Sequence, residues 1–169
     1  PFDDREIVAV CDVREDRRVQ AKQALERLYG ATRPGGAYRG IRMYHDFRDL
    51  LRQKDIDAVY IATLDHWHVP ITLAAVQSGK DCHTEKPLGI CIEEDLAALK
   101  AVRKHRRIFQ YGTERRSTPD ARRAIELVLN GRIGKVQKIY VVSPGSETGG
   151  SPTPVLPVPK GFDYDFWLG

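Results

Sequence analysis

Apolar residues along this chain fall into short runs, and polar stretches with helical spacing separate them. Residues 6–12 read as a buried strand, and residues 17–29 carry Ala21, Ala24, Leu25 and Leu28 at helical spacing, with Gly30 as the stop. Residues 30–40 form a turn-rich loop, 42–44 a short strand, and Asp46 caps a helix over 47–53. Residues 57–62 read as a second buried strand. A helix over 69–77 follows, with Ile71, Ala74 and Ala75 on one side and Gly79 in its terminal turn. Residues 81–84 are a third core strand, 93–105 a helix with Leu96 and Leu99 inward, and 108–111 a last strand. Strands that alternate with helices predict a parallel sheet covered by helices.

After Gly112 the pattern changes. Ser117-Thr118-Pro119 is a helix-start signal, with the helix reaching Leu129 and Gly131 stopping it. Residues 135–143 read as a long strand opening a new sheet, and 144–161 as an exposed Pro/Gly/Ser-rich loop. The predicted division therefore falls between residues 1–111 and residues 112–169.

Two motifs give the strand–helix series a chemistry. Asp12 closes the first strand, where a doubly wound fold holds a ribose hydroxyl, and Glu85-Lys86-Pro87 follows the strand at 81–84. No Gly-x-Gly-x-x-Gly precedes Asp12, since the sequence begins at Pro1. The expected fold class is α/β. It comprises a doubly wound, mostly parallel Rossmann-like sheet lacking its first strand, plus the first helix and strand of an α+β domain. In the order 3-2-1-4-5-6 the absent strand is central, so the strands at 6–12 and 57–62 must pair with each other or leave apolar edges open. The chain is accordingly expected to be a fragment of a longer protein.

Composition narrows the classes further. With 41% hydrophobic and 30% charged residues the chain is of ordinary globular type. No apolar run approaches the roughly 20 residues of a membrane span, and no signal peptide is visible. Cys11, Cys82 and Cys91 form no C-x-x-C and read as free buried thiols in a reducing, cytoplasmic compartment, with Cys82 and Cys91 as core fillers. The net charge of +4 is uneven, with nine Lys or Arg between Lys100 and Arg123. Without interleaved aromatics that run reads as a solvated helix face, not a nucleic-acid surface.

The stretches IVAVCDV, VYIATLDHWHVPITLAAVQSGKDCHTEKPLGI, FQYGTERRSTP and DYDFWLG, in this order, resemble the Gfo/Idh/MocA oxidoreductases. That family is named for glucose-fructose oxidoreductase, inositol dehydrogenase and a rhizopine-catabolism protein. The resemblance implies an NAD-dependent enzyme of sugars, polyols or related alcohols that is a homo-oligomer at full length, with residues 1–111 as a truncated dinucleotide-binding domain and 112–169 as the beginning of a substrate and oligomerisation domain. Nucleic acid, membrane and metal are not among its expected partners.

Asp12 at its strand end favours NAD over NADP by accepting both ribose hydroxyls and repelling a 2'-phosphate, with Arg14 and Arg17 softening the preference. Thr63, Asp65, His66 and His68 stand where a strand runs into a helix N-terminus, a place suited to polar ligand groups. The family pattern there is Thr-Pro-Asn/Asp-x-x-His. Leu64 replaces its proline, while Thr63 and His68 remain and are expected to contact cofactor. His66 and His68 lack the third ligand a metal would need.

By resemblance, Glu85 bonds the nicotinamide ribose. Lys86 faces the substrate carbinol and stabilises its alkoxide or relays its proton, and Pro87 follows a cis bond. Arg116 either reaches substrate or cofactor or makes a plain ion pair. Trp167 either lies near the cofactor or serves packing. The family's Asp-x-x-x-His base would lie beyond residue 169, so the fragment alone is not expected to turn over. Two rival readings are an NAD-dependent glycosidase, which relatives achieve by transient oxidation and elimination, and a non-catalytic remnant.

Overall fold

The computed structural model describes residues 5–33, 35–142, 150 and 154–169. Pro1–Gly112 and Val158–Gly169 form one compact unit, and Thr113–Pro157 a second.

In the first unit, β1 (Ala9–Cys11) leads into α1 (Glu15–Thr32), then β2 (Arg42–Tyr44) and α2 (Phe47–Leu51). β3 (Ala58–Ile61), α3 (Asp65–Gln77), β4 (Asp81–Thr84), α4 (Ile92–His105) and β5 (Phe109–Tyr111) complete the alternation. All strand pairs are parallel: β1 with β2, and β3 with β4 with β5. The two ladders correspond to strands 3-2 and 4-5-6 of the doubly wound order. Among the described residues no ladder joins β1 to β3, so these strands do not pair with each other across the position of the central strand. Sequence pattern and structure thus agree on an α/β, Rossmann-like sheet.

Local chemistry explains the helices. Glu15 and Asp16 sit in the first turn of α1, at the positive end of its dipole. The Asp46 carboxylate accepts the Arg48 amide at 2.8 Å and starts α2. α3 ends in a Schellman turn, where Gly79 takes φ +78° and the Lys80 amide donates to the Ala75 carbonyl at 3.0 Å. α4 carries Glu93, Glu94 and Asp95 at its start and Arg103, Lys104 and His105 at its end.

Four expectations need correction. Gly30 does not stop α1, which continues to Thr32; it is a buried helical position where a Cβ would lie 3.0 Å from the Gly36 carbonyl oxygen. Close approach of the returning loop, not a helix end, is what this glycine permits. α3 begins at Asp65 rather than Val69, so His66 and His68 are helical residues. Leu96 and Leu99 are 48% and 44% exposed, whereas Ala98 is buried, because α4 approaches through its small residues. Cys91 is exposed ahead of α4 and is no core filler, although Cys82 is buried. Burial pushes the Cys82 thiol up to about 11 and that of Cys11 up to about 12.

The core joins Leu50 and Leu51 of α2, Ile56, Ile61 of β3, Ile71, Ala75 and Val76 of α3, and Cys82 of β4. Each large side chain buried there is worth about 1.5–3 kcal/mol. Among the described residues no helix is long and apolar enough to cross a membrane.

The second unit contains a 3-10 turn (Glu114–Ser117) and α5 (Pro119–Leu129), which has Pro119 in its first turn and ends before Gly131 at φ +66°. Residues 135–142 make no strand pairing among the described residues, contrary to the predicted strand, since alternation alone supplies no hydrogen-bonding partner. Of the predicted 144–161 loop, residues 144–149 and 151–153 lie outside the described residues. Replacing Ile61, 3% exposed, by Ala should destabilise the first unit by about 2–5 kcal/mol. The loss would appear as a lower urea midpoint for the first unit at constant slope.

Candidate active site

Strand direction decides where the chemistry gathers. Residues that follow β1 (Asp12, Val13), β2 (His45) and β3 (Thr63, Leu64) line one cavity of about 470 Å³. The carboxyl ends of both ladders therefore open on the same side, the crevice position of open parallel sheets. Phe166 and Trp167 of a short final helix, α6 (Tyr164–Leu168), which belongs to the first unit, also line it.

Asp12 is exposed on the cavity wall. Its Oδ1 accepts the Arg14 amide at 2.8 Å, and its carbonyl accepts from Arg18. One carboxylate oxygen is thus oriented by the backbone, and Oδ2 has no partner among the described residues. Arg14 is turned toward Asp16: Nε donates to Oδ1 at 3.0 Å and Nη2 to Oδ2 at 2.6 Å. That bidentate bond holds the Asp16 carboxyl below its usual range. Thr63 is also exposed and lines the cavity. An acid with a free oxygen at such a crevice fits the ribose end of a dinucleotide.

α6 is fixed at its start by Asp163, whose Oδ1 accepts the Phe166 amide at 3.0 Å and whose Oδ2 meets His45 Nε2 at 2.9 Å. These two contacts, the amide first, hold the Asp163 carboxyl below its ordinary value. Trp167 lines the cavity, lies stacked near Tyr164 at 5.6 Å, and its carbonyl accepts from His66 Nε2 at 3.1 Å. Phe166 packs edge-on against Trp67 at 5.4 Å.

Glu85 and Lys86 follow β4. Thr84 is fully buried, and its carbonyl accepts the Gly112 amide at 2.7 Å. The Glu85 amide donates to the Ile61 carbonyl at 2.9 Å. Tyr60 donates its hydroxyl to Glu85 Oε1, and the Lys86 amide lies 3.3 Å from Oε2. His83 stacks on Tyr60 at 4.8 Å and approaches Glu85 at 3.6 Å. The Tyr60 hydroxyl, ahead of the Lys86 amide, keeps the Glu85 carboxyl below its usual range. Lys86 is exposed and its ammonium has no partner among the described residues. It precedes Pro87 across a cis peptide bond and does not line the cavity, which Tyr60 connects to Glu85.

The structure thus brings Asp12, Thr63 and Trp167 onto one cavity, with Glu85 reached through Tyr60. His68 is enclosed, 1% exposed, with Nδ1 2.5 Å from the Pro87 carbonyl oxygen, and does not line the cavity. Arg116 belongs to the second unit, exposed in its 3-10 turn. Sequence reasoning missed Tyr60, His83 and Gly112. Tyr60 and His83 are in-register partners on neighbouring parallel strands and so share a face. A Cβ at Gly112 would stand 2.8 Å from Glu85 Oε2, so glycine leaves that carboxylate its place.

An acid at this crevice of a doubly wound domain is the arrangement by which dinucleotide-binding folds hold a ribose. The family model described as oxidoreductase family, NAD-binding Rossmann fold (Gfo/Idh/MocA), matches residues 1–113, and the chain belongs to that family. Among curated relatives, it is 36% identical over 98 residues to the uncharacterized oxidoreductase YrbE of Bacillus subtilis (58% of this chain, 29% of that protein). It is 32% identical over 130 residues to a glycosyl hydrolase family 109 protein of Saccharopolyspora erythraea (77% and 28%).

Among solved structures, myo-inositol 2-dehydrogenase from Lactobacillus plantarum superposes with TM-score 0.65 at 29% identity (78% of this chain, 35% of that one). Scyllo-inositol dehydrogenase from Lactobacillus casei, solved with NAD(H) and scyllo-inositol, gives 0.63 at 29% (76% and 34%). The chain spans 28–29% of the length of these two curated relatives.

Because the Tyr60 hydroxyl is the first cause of the lowered Glu85 midpoint, Tyr60→Phe should raise that midpoint toward the ordinary carboxylate range. The sign follows from linkage: a lowered folded-state midpoint adds stability above the unfolded value and loses it as pH falls through the folded one. Carboxyl ¹³C titration of wild type and variant measures the difference, and coincident curves would reject the assignment.

Proposed function

We propose that the whole protein is an NAD-dependent oxidoreductase acting on the CH–OH group of a sugar, polyol or related alcohol. The observation that carries this reading is the cavity at the carboxyl ends of β1, β2 and β3, with Asp12 on its wall and Glu85-Lys86 following β4. When bound, the nicotinamide supplies the hydride acceptor or donor.

Asp12 takes the adenine-ribose hydroxyls through its free oxygen, and Thr63 and Trp167 contact the same half of the cofactor. Engagement of Arg14 by Asp16 keeps that guanidinium from pairing a 2'-phosphate, which supports NAD over NADP. Glu85, held ionised by Tyr60, accepts a ribose hydroxyl. The Lys86 ammonium stabilises the alkoxide that forms as the carbinol loses its proton. In this reading the unit that holds Arg116 opens the substrate and oligomerisation domain, and Arg116 anchors substrate. Three free thiols support a reducing, cytoplasmic setting.

A second reading, NAD-dependent glycosidase, is favoured by relatives named glycosyl hydrolase family 109 proteins at 32–34% identity. Release of a free aglycone without net NADH accumulation separates it from a dehydrogenase.

Lys86→Ala in the whole protein should lower turnover by about 10²- to 10⁴-fold and leave NAD binding in place. An unchanged rate across a panel of inositols and sugars would end the assignment. Calorimetric titration is expected to give tighter binding of NAD than of NADP, and equal affinities would remove the role given to Asp12.

A further inference from the structure

We propose that His68 is a positioning residue for Lys86, acting through the Pro87 carbonyl and not through contact with the dinucleotide. The inference rests on the reading of Lys86 given above. α3 buries two polar side chains one helical turn apart, His68 at 1% and Thr72 at 0% exposure. Each engages the segment around Glu85-Lys86: Thr72 Oγ1 lies 2.7 Å from Thr84 Oγ1, and His68 Nδ1 lies 2.5 Å from the Pro87 oxygen.

α3 therefore grips the chain immediately before and immediately after the two residues that bear the chemistry. Between the grips, the Glu85 amide is tied to Ile61 at 2.9 Å, whereas the Lys86 side chain has no partner among the described residues to hold it. The reach of the Lys86 ammonium is set by where its backbone is pinned, and residue 87 is the pin on its C-terminal side.

The ring chemistry is restrictive. A carbonyl oxygen only accepts, so the His68 proton sits on Nδ1 and donates to Pro87. In the neutral ring Nε2 is then an acceptor, and it is buried without a hydrogen-bond partner among the described residues. The interaction thus needs a donor at the δ position. An Asn side chain offers an N–H near that place. Gln offers one farther out, and Leu fills space without a donor.

The test compares His68→Asn, His68→Gln and His68→Leu. In the whole protein, with NAD and scyllo-inositol or the best polyol of a panel, Leu and Gln should lower kcat by roughly 10- to 100-fold, as small misplacements of a catalytic group do. Asn should recover most of the loss, and NAD affinity should stay within about twofold in all three. A rise in the NAD dissociation constant in all three variants with kcat preserved would mean direct cofactor contact and would overturn the proposal.

A readout free of turnover uses the whole protein without substrate. Long-range ¹H–¹⁵N spectra should show the Nδ1–H tautomer of His68. The amide signals of Glu85, Lys86 and Leu88 should shift or broaden with Leu and Gln but not with Asn. An Nε2–H tautomer, or turn amides unmoved by Leu, would refute the inference whatever the substrate proves to be. If Leu prevents folding, the wild-type tautomer and the Asn–Gln contrast still decide. Absence of polyol oxidation by wild type would refute the proposed function, while the tautomer and the amide shifts would still test the contact between His68 and Pro87.

Discussion

The packing of α3 against β3 and β4 is the contact on which both core and site depend. Val69, Ile71, Ala75 and Val76 are buried along one side of the helix, and Ile61 and Cys82 face them from the two strands. As the crossover between adjacent parallel strands, α3 must return the chain to the edge from which β3 started, and a right-handed connection does so. The buried face is not uniformly apolar, since His68 and Thr72 interrupt it where the strands end. Apolar contact thus sets the distance of the helix from the sheet, and the two polar contacts fix where the β4 exit lies. Buried polar groups with a single satisfactory partner supply a specificity that hydrophobic burial lacks.

That division explains what could be read from sequence. Strand and helix order, the Asp46 cap, the Gly79 turn and the Pro119 start are local signals, each carried by a residue whose backbone or side chain has one strong preference. Gly30 misled because a glycine is compatible with either a helix end or a close approach, and only the returning loop at Gly36 distinguishes them. Leu96 and Leu99 misled for a related reason: helical spacing identifies a stripe, but small Ala98 determines which side comes near α3.

The site was legible to a similar depth. Asp12 and Glu85-Lys86 were visible as strand-end residues, since parallel strands bring their ends to one side without any side-chain information. Tyr60, His83 and Gly112 were not visible, because their relation to Glu85 depends on register between strands that are distant in sequence. His68 was seen as a polar residue at a helix start, but the start lies earlier, at Asp65. That shift of four residues turns it from the helix mouth onto the buried side.

The cavity owes one wall to residues far along the chain. Backbone bonds join the side-chain contacts in attaching that wall: the Glu15 amide donates to Gly161 at 2.9 Å and the Asp163 amide to Val13 at 3.2 Å. Gly161 permits this approach, since it takes φ +78° and a Cβ there would meet Glu15 Oε2 at 2.9 Å. Those bonds hold the segment at the β1–α1 junction, while Phe166 packs on Trp67 and, with Trp167, lines the cavity. Asp12, whose carboxylate is oriented by the Arg14 amide, and the polar strand ends line the same cavity. A cavity that combines aromatic rings with hydrogen-bonding groups can take a ligand that presents both kinds of surface.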